Sequence, residues 1–235
     1  MRKARDQIKV AEFTVEVERK NIKNIYLRVC PPDGMVRLSS PKNVSTESLQ
    51  QFVISKEDWI RKKIKKVQSQ VRTPKLEYVN GESHYVQGRK YSLHLFEVDR
   101  TPGVLLRDNG FMELYVRPGS NREKREKVLR EWYREMLKDK IPQLIARWEP
   151  ELDVAVKEWG VKKMKTRWGT CNTKARRIWL NLELAKRSED LLDYVVLHEM
   201  VHLRERLHNH RFRSFLDKHM PDWRNREEEL KKRLP

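Results

Sequence analysis

The sequence predicts an α+β protein, with a β-rich N-terminal part followed by a helical C-terminal part that carries a small sheet. Three observations predict it. Short alternations of apolar and polar residues recur through the first half, broken by Gly- and Pro-containing turns. From about residue 120 onward, apolar residues recur at helical spacing. No run approaches the roughly 18 apolar residues of a membrane span. With 235 residues the chain can bury one large core or two small ones, and the change of texture places two parts at 1–120 and 121–235.

Taken in order, Phe13-Thr14-Val15-Glu16-Val17 and Ile25-Tyr26-Leu27-Arg28-Val29 alternate as strands do. Pro31-Pro32-Asp33-Gly34 is a turn, and Met35-Val36-Arg37-Leu38 is the returning strand. Leu49, Phe52 and Val53, then Ile60, Ile64 and Val67, have helical spacing, with Ser55 and Asp58 as an N-cap pair that restarts the helix. Gly81 and Gly88 punctuate the stretch before strand candidates at 91–96 and 104–107, and Asp108-Asn109-Gly110 is a hairpin turn before a strand at 112–116. Ser120 and Glu123 form a capping-box pattern for a long amphipathic helix through Val128, Leu129, Trp132, Met136 and Ile141, which Pro142 should kink or end. Trp179-Leu180-Asn181-Leu182 reads as a strand, possible at a sheet edge. Ser188, followed by Glu189 and Asp190, starts a helix near Leu191, and Met220-Pro221-Asp222 breaks the helix after it. No internal repeat is visible.

The chain carries 52 Lys and Arg against 34 Asp and Glu, a formal net charge of +18. Residues 56–75 contribute +6 and residues 157–187 contribute +8, whereas the stretch from Ser188 onward is neutral. Such an excess raises nucleic acid, nucleotides or acidic polymers as partners. Seven Trp, seven Tyr and six Phe argue for a packed fold rather than a basic tail. The two cysteines cannot build a disulfide framework or a four-thiolate zinc site, and no apolar leader follows the basic start. These features predict a soluble, cytoplasmic protein.

Chemistry enters at Leu197-His198-Glu199-Met200-Val201-His202, an H-E-x-x-H motif. Two His at i and i+4 lie on one helix face, so both imidazoles can reach one ion, and zinc accepts such nitrogens. The Glu after the first His can then act as general base on the water that the metal activates. Chance supplies only roughly 0.02 such motifs in a chain of this length. A catalytic zinc needs a third protein ligand. His208 is the first choice, with His210, then Glu205, His219 or a later carboxylate as alternatives. Ten residues of unbroken helix rise about 15 Å, so the helix must turn before His208, and Asn209, which tolerates left-handed geometry, can mark that turn. His84 and His94 read as structural.

Upstream lies Lys165-Thr166-Arg167-Trp168-Gly169-Thr170-Cys171-Asn172. The combination R-W-G-[ST]-C followed by H-E-x-x-H resembles the YgjP-like metal-dependent hydrolases, relatives of the SprT-like and WLM zinc peptidases. His208-Asn209, Met220-Pro221-Asp222-Trp223, residues 59–63 and residues 88–91 also resemble family segments, so the likeness spans nearly the whole chain. The resemblance implies a zincin-like metallopeptidase domain with Zn2+ held by His198, His202 and His208 and with Glu199 as base. Thr170 stands where Ser is commoner. Cys171 is read as packing beside Trp168 in preference to a fourth ligand. Arg167 is either an ion-pair partner or an anion holder, and Tyr194 is read as packing.

Three functions follow. The first is a metallopeptidase whose peptide lies along the strand near 179–182, with Arg167, Trp179 and Asn181 as substrate contacts and with the basic segment 157–187 holding it, or its protein substrate, near nucleic acid; related families act on DNA-associated proteins. The second is a nucleotide pyrophosphohydrolase with Lys163, Lys165, Arg167, Arg176 and Arg177 clamping phosphates. The third is a non-enzymatic nucleic-acid binder with structural zinc, a role that leaves Glu199 without a use.

Overall fold

The structure is a computed structural model that describes residues 6–31, 33–68 and 76–232. The chain divides into two compact units, Met1–Lys75 and Leu76–Pro235.

In the first unit β1 (Asp6–Val10), β2 (Phe13–Lys20), β3 (Tyr26–Cys30) and β4 (Met35–Pro41) precede α1 (Thr46–Ile54) and α2 (Glu57–Gln68). The sheet order is β1-β2-β4-β3, with β2 and β4 parallel and both outer pairs antiparallel. Alternation buries Phe13, Val15 and Val17 on β2 and Val36 and Leu38 on β4, in one cluster with Leu49, Val53 and Ile60 of the helices. Ser45 caps α1, its Oγ accepting from Ser48 N at 3.2 Å. Ser55 does not restart a helix as expected. Its hydroxyl donates to Phe52 O at 2.8 Å and so belongs to the end of α1.

The second unit opens on β5 (Ser83–Val86), β6 (Arg89–Glu97), β7 (Gly103–Leu106) and β8 (Phe111–Val116) in the order β5-β6-β8-β7. The centre is again parallel and the outer pairs antiparallel. This repeats the plan of the first sheet, although the sequence shows no repeat. What recurs is turn chemistry at matching places: positive φ at Ala11 and at Gln87-Gly88 in the first hairpins, and at Gly34 and Gly110 before β4 and β8. Pairing follows from alternation and turns, which many residue choices satisfy.

Next comes α3 (Arg122–Leu152). Its cap is Asn121, whose Oδ1 accepts from Lys124 N at 3.0 Å; the Ser120 hydroxyl instead donates to Arg117 O. The helix does not end at Pro142 but runs on through Pro150. A proline removes one backbone bond, yet the stripe Leu137, Ile141, Ile145, Trp148 and Leu152 stays buried across it, and that packing outweighs the loss.

The last segment holds β9 (Glu158–Lys162), β10 (Gly169–Asn172), β11 (Arg177–Asn181), a 3₁₀ turn at Leu182–Lys186, then α4 (Glu189–Val201), α5 (His210–His219) and α6 (Trp223–Lys231). The strand expected at an edge is central: β11 pairs antiparallel with β10 and parallel with β9. One core joins Leu93, Met112 and Leu114 of the second sheet to α3, β11 and α4. For that reason the compact units part between residues 75 and 76, whereas the change of texture lies near 120. No described helix is long and apolar enough to cross a membrane.

Candidate metal centre

Nine of the thirteen residues of α4 are buried, and His198 is one of the four that are not. Asp193, on the same helix, accepts from Trp148 Nε1 of α3 at 2.7 Å and pairs with Arg147, which holds α4 in register with α3. The helix stops at Val201, with His202 at its C-cap; Leu203 N then donates to Met200 O and Arg204 N to Val201 O, both at 2.9 Å. The chain reverses over the next residues. Asn209 is not left-handed, as expected, but extended (φ −79°, ψ −169°), and caps α5 by accepting from Phe212 N at 3.0 Å.

The reversal brings His208 Nε2 to 3.0 Å from His198 Nε2 and 3.1 Å from His202 Nε2. These three form the one group of three or more metal-capable side chains among the described residues. The buried Phe212 ring, unmarked in the sequence, lies beneath them with centroids 5.0, 4.7 and 4.6 Å from the three imidazoles. The alternatives lie elsewhere. His210 meets Ser214, His219 sits 3.6 Å from Glu151 and edge-on to Trp148, and the Glu205 carboxylate faces Arg211. His84 packs on Tyr78 beside Glu82, and His94 stacks on Phe111.

The donor set fits zinc. His202 Nδ1 lies 3.2 Å from Glu205 O, an acceptor that keeps the proton on Nδ1 and leaves the Nε2 lone pair free. His198 Nδ1 faces the Tyr194 hydroxyl at 3.4 Å, which gives Tyr194 an orienting contact beyond packing. Burial first, then the neighbouring His202 and His208, push His198 down to about 3, and burial also lowers His202. Both are therefore neutral at ordinary pH, as a metal ligand must be. Two ligand atoms on a tetrahedral zinc lie about 3.3 Å apart, close to the spacing here.

Glu199 is buried, with 6% of its surface exposed, and burial pushes its carboxyl up to about 8 while Arg167 pulls the other way. Its carboxyl fills the space that a side chain at residue 169 would take: a Cβ on Gly169 would stand 2.6 Å from Glu199 Oε1 and Cγ. The two motifs thus meet, and the glycine between Trp168 and Thr170 makes room for the glutamate of the helix. Asn181 has no group left for substrate. Its Oδ1 accepts from Met164 N and Glu183 N, and its Nδ2 donates to Met164 O and Arg167 O. It ties down the loop that carries Arg167. Trp179 points away from the centre, packing on Gly160 with Lys162 3.5 Å from its ring.

A cleft of about 880 Å3 joins these parts, lined by residues 167–174, Tyr194, His198, Glu199, His202, Arg206, His208 and the α6 residues Glu227, Leu230 and Lys231. Cys171 lines it outside the histidine group, with burial and Glu199 raising its thiol to about 11. Of the five cations expected to clamp phosphates, only Arg167 reaches the cleft. Lys163 pairs with Glu126, Arg177 with Glu158, and Arg176 donates to Ala155 O.

A family profile described as "YgjP-like, metallopeptidase domain" matches residues 23–233. No curated protein matches the chain. Among solved structures, the chain is similar to the metallopeptidase zymogen of Pyrococcus abyssi abylysin, at 18% identity over 38% of this chain and 90% of that one, with a TM-score of 0.36. It is also similar to the metallopeptidase zymogen of Methanocaldococcus jannaschii jannalysin, at 22% identity over 39% and 93%, with a TM-score of 0.35.

Proposed function

Because the chain belongs to the YgjP-like metallopeptidase family, we propose that it hydrolyses peptide bonds with zinc held by His198, His202 and His208 and with Glu199 as general base. The observation that carries this reading is the convergence of three Nε2 atoms in the cleft that Glu199 also lines. When bound, zinc supplies Lewis-acid polarisation of the scissile carbonyl and acidifies a water. The rest is work for the chain. In its ionised form, Glu199 takes the proton of the attacking water on a carboxylate oxygen and passes it to the leaving amine. Gly169 and the tied loop hold that carboxylate in place, and Tyr194 and Glu205 O orient the two helix histidines.

The peptide path moves from the stretch 179–182, whose β11 residues lie between two strands, to β10. One edge of β10 pairs with β11; its other edge carries no strand among the described residues, and the whole of β10 lines the cleft. A substrate adds there as a further strand. The two free cysteines fit a reducing compartment such as the cytoplasm. The nucleic-acid contact suggested by charge belongs in this reading to α2, where Lys62, Lys63 and Lys65 are exposed; binding of a single-stranded oligonucleotide that does not weaken with salt, or that persists in the triple Lys→Glu variant, removes it.

Glu199→Gln tests the mechanism. Proteolysis of an unfolded protein should vanish while zinc content stays near one per chain. Activity that survives the substitution overturns the role of Glu199, and activity unaffected by chelation overturns the metal.

A further inference from the structure

The cleft rim carries more positive charge than the chemistry uses. Arg167 lies just before β10, Lys174 just after it, Arg206 in the reversal that leads to His208, and Lys231 on α6. Four separated segments thus deliver a cation to one opening. The acid side is small. Glu227 pairs with Lys231 at 3.3 Å, and Lys231 also meets Glu228 at 2.6 Å, so α6 is internally compensated.

Arg167, Lys174 and Arg206 have no ion-pair partner among the described residues. Several cations close by but outside the cleft are paired, namely Lys163 with Glu126, Arg177 with Glu158, Arg204 with Asp153 and Arg211 with Glu205, whereas Lys165 and Arg213 have no ion pair among the described residues. The opening thus holds three cations without an ion pair, beside apolar walls of Trp168, Tyr194 and Leu230 that focus their field.

We propose that the cleft selects acidic peptides, with Arg167, Lys174 and Arg206 receiving Asp or Glu side chains on both sides of the scissile bond. The proposal rests on the peptidase reading and names its substrate class. Arg167 and Lys174 stand beyond opposite ends of a four-residue strand, which spans about 13 Å. A peptide added along that edge passes one cation on each side of its centre. Glu199, packed against Gly169, places the chemistry nearer the Arg167 end. A phosphate group is a poorer match, because it is held by donors converging on one point, whereas these cations come from separate elements around an extended groove.

The test uses the zinc-loaded full chain and fluorogenic peptides with a mixed-residue centre flanked on both sides by Glu, Gln or Lys. The Glu set should be cleaved with kcat/KM at least about tenfold above the Lys set. That preference should shrink in roughly 1 M NaCl, where screening reaches about 3 Å. The double variant Lys174→Glu, Arg206→Glu should lose or reverse the preference with zinc content unchanged, while cleavage of the Gln set changes far less. Equal cleavage of all three sets overturns the proposal and leaves the peptidase reading standing. So does a double variant that loses all three sets equally, since the two cations are then structural. If no set is cleaved, the peptidase reading fails, and binding of the same peptides to the zinc-loaded Glu199→Gln chain decides: tighter binding of the Glu set upholds acidic selection, and equal binding overturns it. Tighter binding of ATP or of an oligonucleotide than of the Glu peptides also overturns it.

Discussion

Gly169 is needed for what it lacks. The Glu199 carboxyl occupies the space of the missing Cβ, so Gly169→Ala must push that carboxyl aside. With Glu199 as the general base proposed above, we expect kcat/KM to fall at least about tenfold with zinc content unchanged, because a small misplacement of such a group is costly. Unchanged activity would show that Glu199 is positioned by something else. The metal-free protein also carries two opposed titrations. His198, at about 3, binds fewer protons folded than unfolded, so its contribution to stability rises with pH between about 3 and 6.5. Glu199, at about 8, binds more protons folded than unfolded, so its contribution falls as pH rises between about 4.5 and 8. The two slopes cancel between about 4.5 and 6.5, which gives a plateau with a falling limb on each side. Urea denaturation of the chelated protein across this range should show Glu199→Gln flattening the alkaline limb and His198→Gln the acid limb. A limb that survives its own substitution belongs to other groups. Of these residues, His198, Glu199 and His202 were legible as one helical turn. The contact between Gly169 and Glu199 was not, because thirty positions separate them and nothing local marks a space that will be filled from elsewhere.

Elements were legible where one period dominates. β2, β4 and β8 bury alternate residues as the sequence implies. β10 was not legible, since Gly169-Thr170-Cys171-Asn172 has no alternation and becomes a strand only by pairing with β11. The role of β11 was misplaced for the same reason, because edge or centre depends on what pairs with it. The loop before β10 depends on Asn181, 4% exposed, with both ends of its amide committed. Asn181→Ala should therefore cost roughly 2–4 kcal/mol in denaturant, leaving buried backbone groups without partners. A cost below about 1 kcal/mol would mean that water replaces the amide and that the loop is held in another way.

For the whole molecule, the charge has divided roles. Of the cations in residues 157–187, Lys163 pairs with Glu126, Arg177 with Glu158 and Lys186 with Glu183, and Arg176 donates to backbone; what faces the cleft comes partly from Arg206, in a stretch neutral by count. The core that runs from the second sheet through α3 to α4 makes Leu76–Pro235 the unit that holds the centre. That segment expressed alone should unfold in one cooperative transition and bind one zinc per chain, read by calorimetry and metal analysis. A segment that stays unfolded or metal-free would place part of the site's support before residue 76. By itself the sequence determined the α+β class, the two helix histidines with their glutamate, and the need for a reversal before His208, because each follows from spacing within a few residues. Only the tertiary structure decided which histidine completes the group, which strand edge is open, what makes room for Glu199 and which cations are left unpaired. Those depend on groups far apart in the chain, and packing and pairing between distant segments leave no periodic trace in either one.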